Sequence, residues 1–264
     1  MPGFYGSDRQ IALQRAAEAD AAWISVTPGA CQACRFVGCD DPGRLGWDAI
    51  RRILDRDGMI GFRLLSPAAM AEVAQRLAPD GWRVDTWNVF GASAAAARAA
   101  IAPILALPLP AGAAAALHEA GPEAPQTRAL QAFMADQGLA PFSGTRLCGD
   151  GCDTRTVVIR NADGAILASA HCYLPHGPLS PHHRDAWVGL VAVDPAHRGT
   201  GLGLRANAEA IRAALDDLGA EAVHELVSAA NIPSQRMMAR CGLALDPGRI
   251  CGIALPAADA KFTR

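Results

Sequence analysis

The spacing of apolar and polar positions predicts a mixed order of helices and strands as far as residue 153, and a strand-rich order after it. Ser7 to Trp23 reads as a helix with Ser7 or Asp8 as its cap. Pro28 to Gly46 reads as a loop. Trp47 to Arg56 sets Trp47, Ile50, Ile53 and Leu54 on one side of a helix that Gly58 stops. Met59 to Leu65 is an apolar run of strand length, and Ser66 then caps a helix from Pro67 to Leu77 with proline at its first position. Asp80-Gly81 predicts a turn, Trp82 to Phe90 a strand, and Ala92 to Leu105 an alanine-rich helix. Pro108 to Pro125 mixes proline and glycine with alanine and reads as a linker, within which Ala113 to Ala120 has the composition of a short helix. Gln126 to Gln137 carries Leu130, Phe133 and Met134 on one helical face, and Gly144 to Asp153 reads as a loop.

Period-two patterning takes over after that. Thr154 to Arg160 and Ile166 to Leu174 flank Asn161-Ala162-Asp163-Gly164, a hairpin turn signal. Pro175 to Asp185 is a loop, and Ala186 to Val193 is a buried strand ended by Asp194-Pro195, because proline cannot continue a ladder. Gly199, Gly201 and Gly203 follow, and Leu202, Leu204, Ala208, Ile211 and Leu215 then recur at helical spacing to about Leu218. Glu221 to Ser228 predicts a strand, Asn231 to Cys241 a short helix ended by Gly242, and Arg249 to Leu255 a last strand.

A strand, a glycine-rich turn and a helix in succession aim backbone N–H groups and a helix N-terminus at one point, which suits an anion such as a pyrophosphate. The stretch lacks the Gly-Lys-Ser/Thr of a Walker loop, and its glycines are not spaced as in the dinucleotide fingerprint. With Val193-Asp194-Pro195 leading in and Arg198, Gly201 and Gly203 in place, it resembles the Arg/Gln-x-x-Gly-x-Gly/Ala signature of the GNAT superfamily of N-acetyltransferases. A second stretch, Asn231 to Leu243, resembles that family's Asn-x-x-Ala…Tyr-x-x-x-Gly-Phe helix.

The resemblance covers roughly residues 123 to 256. It implies an α/β (α+β) acyltransferase fold with a mixed central sheet flanked by helices, and acetyl-CoA as co-substrate. It divides the chain into an N-terminal α/β region, 1–115, and a GNAT domain, 123–264. The family's last two strands look shortened here. Because Phe62 to Pro67 followed by a helix is similar to the opening of such a domain, the first half is either a degenerate second copy or part of a domain with a long insertion.

By resemblance, Val191 and Val193 bind the pantetheine arm through their backbone groups, and the N–H groups of Arg198, Gly199, Thr200, Gly201, Leu202 and Gly203 take the pyrophosphate. Asn231 bonds the pantetheine with Ser234 beside it, and Asn231 also suits a helix cap. The implied reaction is direct transfer of an acetyl group to a small-molecule or peptide amine in a ternary complex. Such a transfer needs a base near the amine. Glu225 is the first candidate and Asp185 the second, with His182 and His183 in a loop placed to contact substrate. Met238 stands where the family commonly has a tyrosine that protonates the leaving thiolate, and a thioether has no proton to give. That departure keeps a non-catalytic acyl-CoA-binding sensor as the alternative.

Composition adjusts the picture only at its margins. In 264 residues, 51% are hydrophobic and 19% charged, enough for a sizeable core. A net charge of −2, with basic residues scattered, points away from nucleic acid. Met1 to Asp8 shows no secretory pattern, and the apolar stretch Ala92 to Leu117 is broken by prolines, so a cytoplasmic protein without a membrane partner is expected, with a homodimer open. Cys31-x-x-Cys34-x4-Cys39 and Cys148-x3-Cys152 raise the question of zinc, but the first cluster has no evident fourth ligand unless Cys148 or Cys152 reaches it. Reduced thiols and no metal are the expectation. Cys172, Cys241 and Cys251 read as small buried hydrophobes.

Overall fold

A computed structural model describes residues 2–33 and 35–259. Its centre is one ten-stranded mixed sheet, and the way the two halves of the chain enter that sheet explains the architecture. The first half supplies α1 (Asp8–Ala19), α2 (Ala21–Val26), β1 (Ala30–Ala33), β2 (Phe36–Cys39), α3 (Pro42–Leu45), α4 (Trp47–Asp57), β3 (Ile60–Leu65), α5 (Pro67–Leu77), β4 (Trp82–Ser93) and α6 (Ala94–Ala106). The second supplies β5 (Ala114–Leu117), α7 (Pro125–Asp136), α8 (Gly144–Cys148), β6 (Thr154–Arg160), β7 (Ile166–Tyr173), β8 (Asp185–Val193), α9 (Leu202–Asp216), β9 (Ala222–Val227), α10 (Ile232–Arg240) and β10 (Ala244–Pro256).

The strand order is β1-β2-β3-β10-β4-β9-β8-β7-β6-β5. Each half repeats one motif. An antiparallel pair (β1 with β2, β7 with β8) is followed by a helix (α4, α9) and a strand parallel to the second of the pair (β3, β9), and then by a further helix (α5, α10). The closing strands are exchanged. β4, from the first half, pairs antiparallel with β9, and β10, from the second, pairs antiparallel with β3. β4 and β10 then run antiparallel to each other from Trp82↔Pro256 to Gly91↔Ala244. The first half thus repeats the strand and helix order of the second within the same sheet.

Local sequence explains most elements. Ser66 caps α5 by accepting from the Ala69 N–H, with Pro67 at the helix start, and Gly58 ends α4 in the left-handed region at φ 69°. Packing settles the rest. On one face, α9 and α6 cover a core of Ala206, Ala210, Ile211, Val188, Val223 and Val227, while α4 and α5 cover Ile60, Phe62, Met70 and Val73. On the other, α7 and α8 bury Leu130, Met134 and Leu147 against Tyr173 and Trp187.

Four expectations are corrected. Ala113 to Ala120 is no helix: Ala114–Leu117 is the edge strand β5, paired with Val157 to Arg160, because small side chains fit a strand laid along β6. The expected loops at 28–46 and 144–153 contain the β1–β2 hairpin with α3, and α8. The last strand is long, Ala244–Pro256, because its pairing with both β3 and β4 extends it past the local apolar run. Cys31 and Cys39 do not share a side of their hairpin. Cys31 opposes Gly38 while Cys39 opposes Ala30, so their thiols leave opposite faces. Cys34 lies outside the described residues. No helix among the described residues is long and apolar enough to cross a membrane.

Candidate active site

β8 and β9 form a wedge. Their parallel pairing runs through Asp185↔Ala222, Ala186↔Val223 and Trp187↔His224 and then stops, although β8 continues to Val193 and β9 to Val227. On its other side β8 keeps pairing with β7, but the register slips between Ser169↔Ala192 and His171↔Gly189, so two residues, Leu190 and Val191, oppose Ala170. Leu190 sits at φ 50°, the left-handed turn of this bulge. The bulge bends β8 from β9, and beyond Trp187↔His224 no ladder pairing joins their inner edges. Val191 and Val193 lie on that edge. The matching strand of the first half, β2, ends at Cys39, directly after its pairs Gly38↔Gly61 and Cys39↔Phe62, so no wedge opens there.

Beyond Val193, Asp194 accepts from the Ala196 N–H and starts a short turn over Pro195–His197. Gly199 and Gly201 take φ 78° and 91°, with open space where a Cβ would stand. Gly201 is the N-cap of α9 and gives it no side-chain cap, so the first N–H groups of a 15-residue helix face outward unpaired. A Cβ on Gly203 would lie 3.1 Å from Val193 Cγ2, so that glycine lets the helix start press on the strand end. Arg198 donates to Gln137 Oε1 at 2.8 Å, and Thr200 donates to the His197 carbonyl at 2.6 Å. These residues form one corner at the open end of the wedge, with the clustered N–H groups and helix start that suit an anion. Asn231 accepts from the Ser234 N–H and caps α10, so both of its sequence readings stay compatible.

The candidate acid–base residues separate onto two faces. Glu225 lies on the α9 face, 1% exposed, and accepts from Asn207 Nδ2 at 2.7 Å. Burial pushes its carboxyl up to about 8, against the opposing effect of the Asn207 bond, so it holds its proton at neutral pH. Met238 is packed in the core on that same face, and Cys241 Sγ lies 3.6 Å from the Asn207 amide nitrogen. Asp185 and His182 belong to the other face. His182 Nδ1 is 3.0 Å from Asp185 Oδ2, and Arg249 donates to the same oxygen at 3.4 Å. Burial alone raises the Asp185 carboxyl, but the His182 bond and the charges of His182, His224 and Arg249 outweigh it and leave it below the ordinary range. His183 Nδ1 lies 3.2 Å from the Ser180 carbonyl oxygen, inside the same loop. Glu225 and Asp185 are therefore not brought together, whereas Asp185 and His182 are.

Sequence reasoning missed the neighbours of that pair. His176 and His224 are buried within ring-centroid distances of 5.4 Å (His176 to His182) and 6.4 Å (His176 to His224). A histidine in the middle of an apolar strand, at His224, was the signal available. Gly189 was another, since a Cβ there would stand 2.4 Å from the Trp187 indole, which lies over it.

A family model described as the acetyltransferase (GNAT) family matches residues 127–243. The match lies in the second half of the chain, and the wedge and glycine corner fall inside the matched residues. No curated protein matches the sequence. Among solved structures, the chain is similar to a GCN5-related N-acetyltransferase from Kribbella flavida, with a TM-score of 0.58 at 18% identity over 92% of this chain and 96% of that one. A tandem GNAT protein from the clavulanic acid biosynthesis pathway gives 0.56 at 17% identity over 85% of this chain and 76% of that one. A putative GNAT-family acetyltransferase from Novosphingobium aromaticivorans gives 0.55 at 16% identity over 92% and 96%. At these identities the likeness is one of fold. It extends over nearly the whole chain, in keeping with the repeated half-sheet.

Proposed function

We propose that the protein transfers an acetyl group from acetyl-CoA to an amine by direct attack in a ternary complex. The observation that carries this reading is the wedge between β8 and β9 ending in the uncapped, glycine-lined start of α9. A pantetheine arm needs an extended slot with free backbone partners, and a pyrophosphate needs clustered N–H donors; both are adjacent here. In this reading Val191 and Val193 bond the arm, the N–H groups from Arg198 to Gly203 hold the pyrophosphate, and Asn231 and Ser234 close over the cofactor. A backbone N–H at the Leu190–Val191 bulge polarises the thioester carbonyl.

The two candidate carboxyls take different tasks. Asp185, ionised and paired with His182, is the base that receives the ammonium proton through water. Glu225 retains its proton at neutral pH and shares its face with Met238, which supports a role as proton donor to the departing thiolate in place of the tyrosine. The step balances as follows: Asp185 passes one ammonium proton to solvent, the neutral amine nitrogen bonds the acetyl carbon, the second nitrogen proton goes to Asp185 as the carbon–sulfur bond breaks, and the thiolate takes a proton from Glu225, which regains one from Asp185 through solvent. The amine is drawn from small molecules or peptides, and the N-terminal half, 1–115, supplies β4 and the floor of the acceptor side.

Calorimetric titration with acetyl-CoA, followed by thiol release across an amine panel, tests the reading. Saturable binding that is lost in Gly201→Ala, together with amine-dependent thiol release, is the expected result. Absence of heat and of any thermal shift would sink it, and binding with no turnover on any amine would leave a sensor in place of an enzyme.

A further inference from the structure

Where the two halves meet, on the sheet face away from α9, buried polar groups gather that neither the cofactor slot nor the transfer chemistry uses. Cys31 on β1 is fully buried, Asp40 directly follows β2, and His176 lies in the loop between β7 and β8. Their ligand atoms, a thiol sulfur, a carboxylate oxygen and a ring nitrogen, lie within 4.8 Å of one another. The backbone holds this meeting in place. Cys31 and His176 form an isolated antiparallel bridge, and the Gln32 N–H donates to the Pro175 carbonyl at 2.7 Å.

Hydrogen bonds leave part of this donor set unused. His176 Nδ1 is 2.7 Å from Asp40 Oδ2, and that same oxygen accepts from Ser180 Oγ at 2.6 Å. His176 Nε2 is buried without a hydrogen-bond partner, and so are both ring nitrogens of His224, a residue only 3% exposed. Native interiors pair nearly all buried polar atoms. A neutral imidazole has one lone-pair nitrogen, so His176 and His224 hold two electron-pair donors between them, beside a thiol and a carboxylate.

We propose that Cys31, Asp40 and His176 bind a zinc ion, with the His224 ring beside the site as an outer neighbour. Sulfur and imidazole donors favour zinc over calcium or magnesium, which prefer all-oxygen sites. One thiolate and one carboxylate neutralise a divalent ion, so the filled site carries no net charge into the interior. In the metal-free protein Asp40 Oδ2 and His176 Nδ1 bond to each other, and zinc would replace that bond by taking both groups as ligands. Without metal, burial and the Asp40 charge hold the Cys31 thiol well above its usual range, while the nearby Arg63 charge pulls the other way. Zinc would take the sulfur lone pair and release that proton to solvent, with no change of oxidation state. The ligands come from both halves of the chain, so the ion would join the β1–β2 hairpin to the β7–β8 loop. This set differs from the spaced cysteines of the sequence, since Cys39 leaves the opposite face of the hairpin.

The test uses the full chain purified from zinc-supplemented culture. Elemental mass spectrometry is expected to find about one zinc per chain. After chelator stripping, titration with Co²⁺ is expected to give a thiolate-to-cobalt charge-transfer band, and Zn²⁺ to raise Tm by about 5 °C or more. The band is expected to survive in Cys148→Ser/Cys152→Ser, to vanish in Cys31→Ser, and to need roughly 100-fold more cobalt in His176→Gln. His224→Asn weakens uptake about 10-fold. Circular dichroism establishes that each variant is folded; should Cys31→Ser not fold, His176→Gln and the double variant decide. Zinc-free protein that gives no cobalt band overturns the proposal, as does a band that persists in folded Cys31→Ser, that forms in His176→Gln at the cobalt concentration sufficient for the unaltered chain, or that disappears in the Cys148/Cys152 double variant. The proposal does not depend on acetyl transfer, so its failure would leave that reading standing.

Discussion

Glu225 is the residue whose two properties pull apart most usefully. Its carboxyl ionises near 4.5 when unfolded and at about 8 when folded, so folding favours the protonated form. The unfolded chain releases this proton first as pH rises, and the native state therefore loses stability between about pH 4.5 and 8. Glu225→Gln keeps an acceptor for Asn207 and removes that slope. Urea unfolding at pH 5, 6.5 and 8 is expected to show the variant more stable at pH 8, by on the order of a few kcal/mol, with little difference at pH 5. If Glu225 is also the proton donor, the same variant loses about 10²-fold in kcat, and the decline of wild-type activity above pH 8 disappears. A substitution that stabilises the fold and slows turnover is hard to explain by misfolding. Asp185→Asn is expected to lower kcat/KM by about 10²-fold across the neutral range, read by initial rates against pH, because the amide neither takes a proton nor holds His182 as an ionised partner.

At the scale of elements, the wedge and the corner of α9 depend on backbone conformations that side chains disfavour. Gly201→Ala places a Cβ at φ 91°, at a cost of about 1–2 kcal/mol, and adds bulk where the phosphate approaches. Acetyl-CoA affinity is expected to fall at least 10-fold by titration, while Tm moves by only a few degrees. Elements written in contiguous sequence were legible. Thr154–Arg160 and the Pro67–Leu77 helix match their predicted ends, and the glycine corner follows from Gly199, Gly201 and Gly203 in one short run. The β1–β2 hairpin and β5 were not. β1 and β2 are buried on both faces, so no polar alternation marks them, and their packing rests on distant glycines: a Cβ on Gly61 would lie 2.4 Å from the Ala33 Cβ. The candidate site divides the same way. Its cofactor half is local in the chain, whereas Asp40 and His176 meet across 136 positions, and no pattern along the sequence encodes that.

For the molecule as a whole, the exchange of β4 and β10 makes the halves interdependent. Fragments 1–112 and 113–264 are each expected to remain unfolded or to aggregate alone, because each lacks the strand that completes its sheet, and to give a folded complex when co-expressed. Size-exclusion chromatography with circular dichroism checks this, and a stable, monomeric C-terminal fragment would contradict it.

The same exchange sets an order of events during synthesis. β10 inserts between β3 and β4, so residues 244–256 fill a gap whose two walls were made some 150 residues earlier. Until they leave the ribosome, β3 and β4 each present a row of unpaired backbone groups, the kind of edge that recruits other chains. At about 5–20 residues per second that exposure lasts on the order of ten seconds or more. A stop codon just before Ala244 would make it permanent. β10, whose Arg249 also donates to Asp185, therefore decides whether a nascent chain becomes a folded protein or a substrate for chaperones.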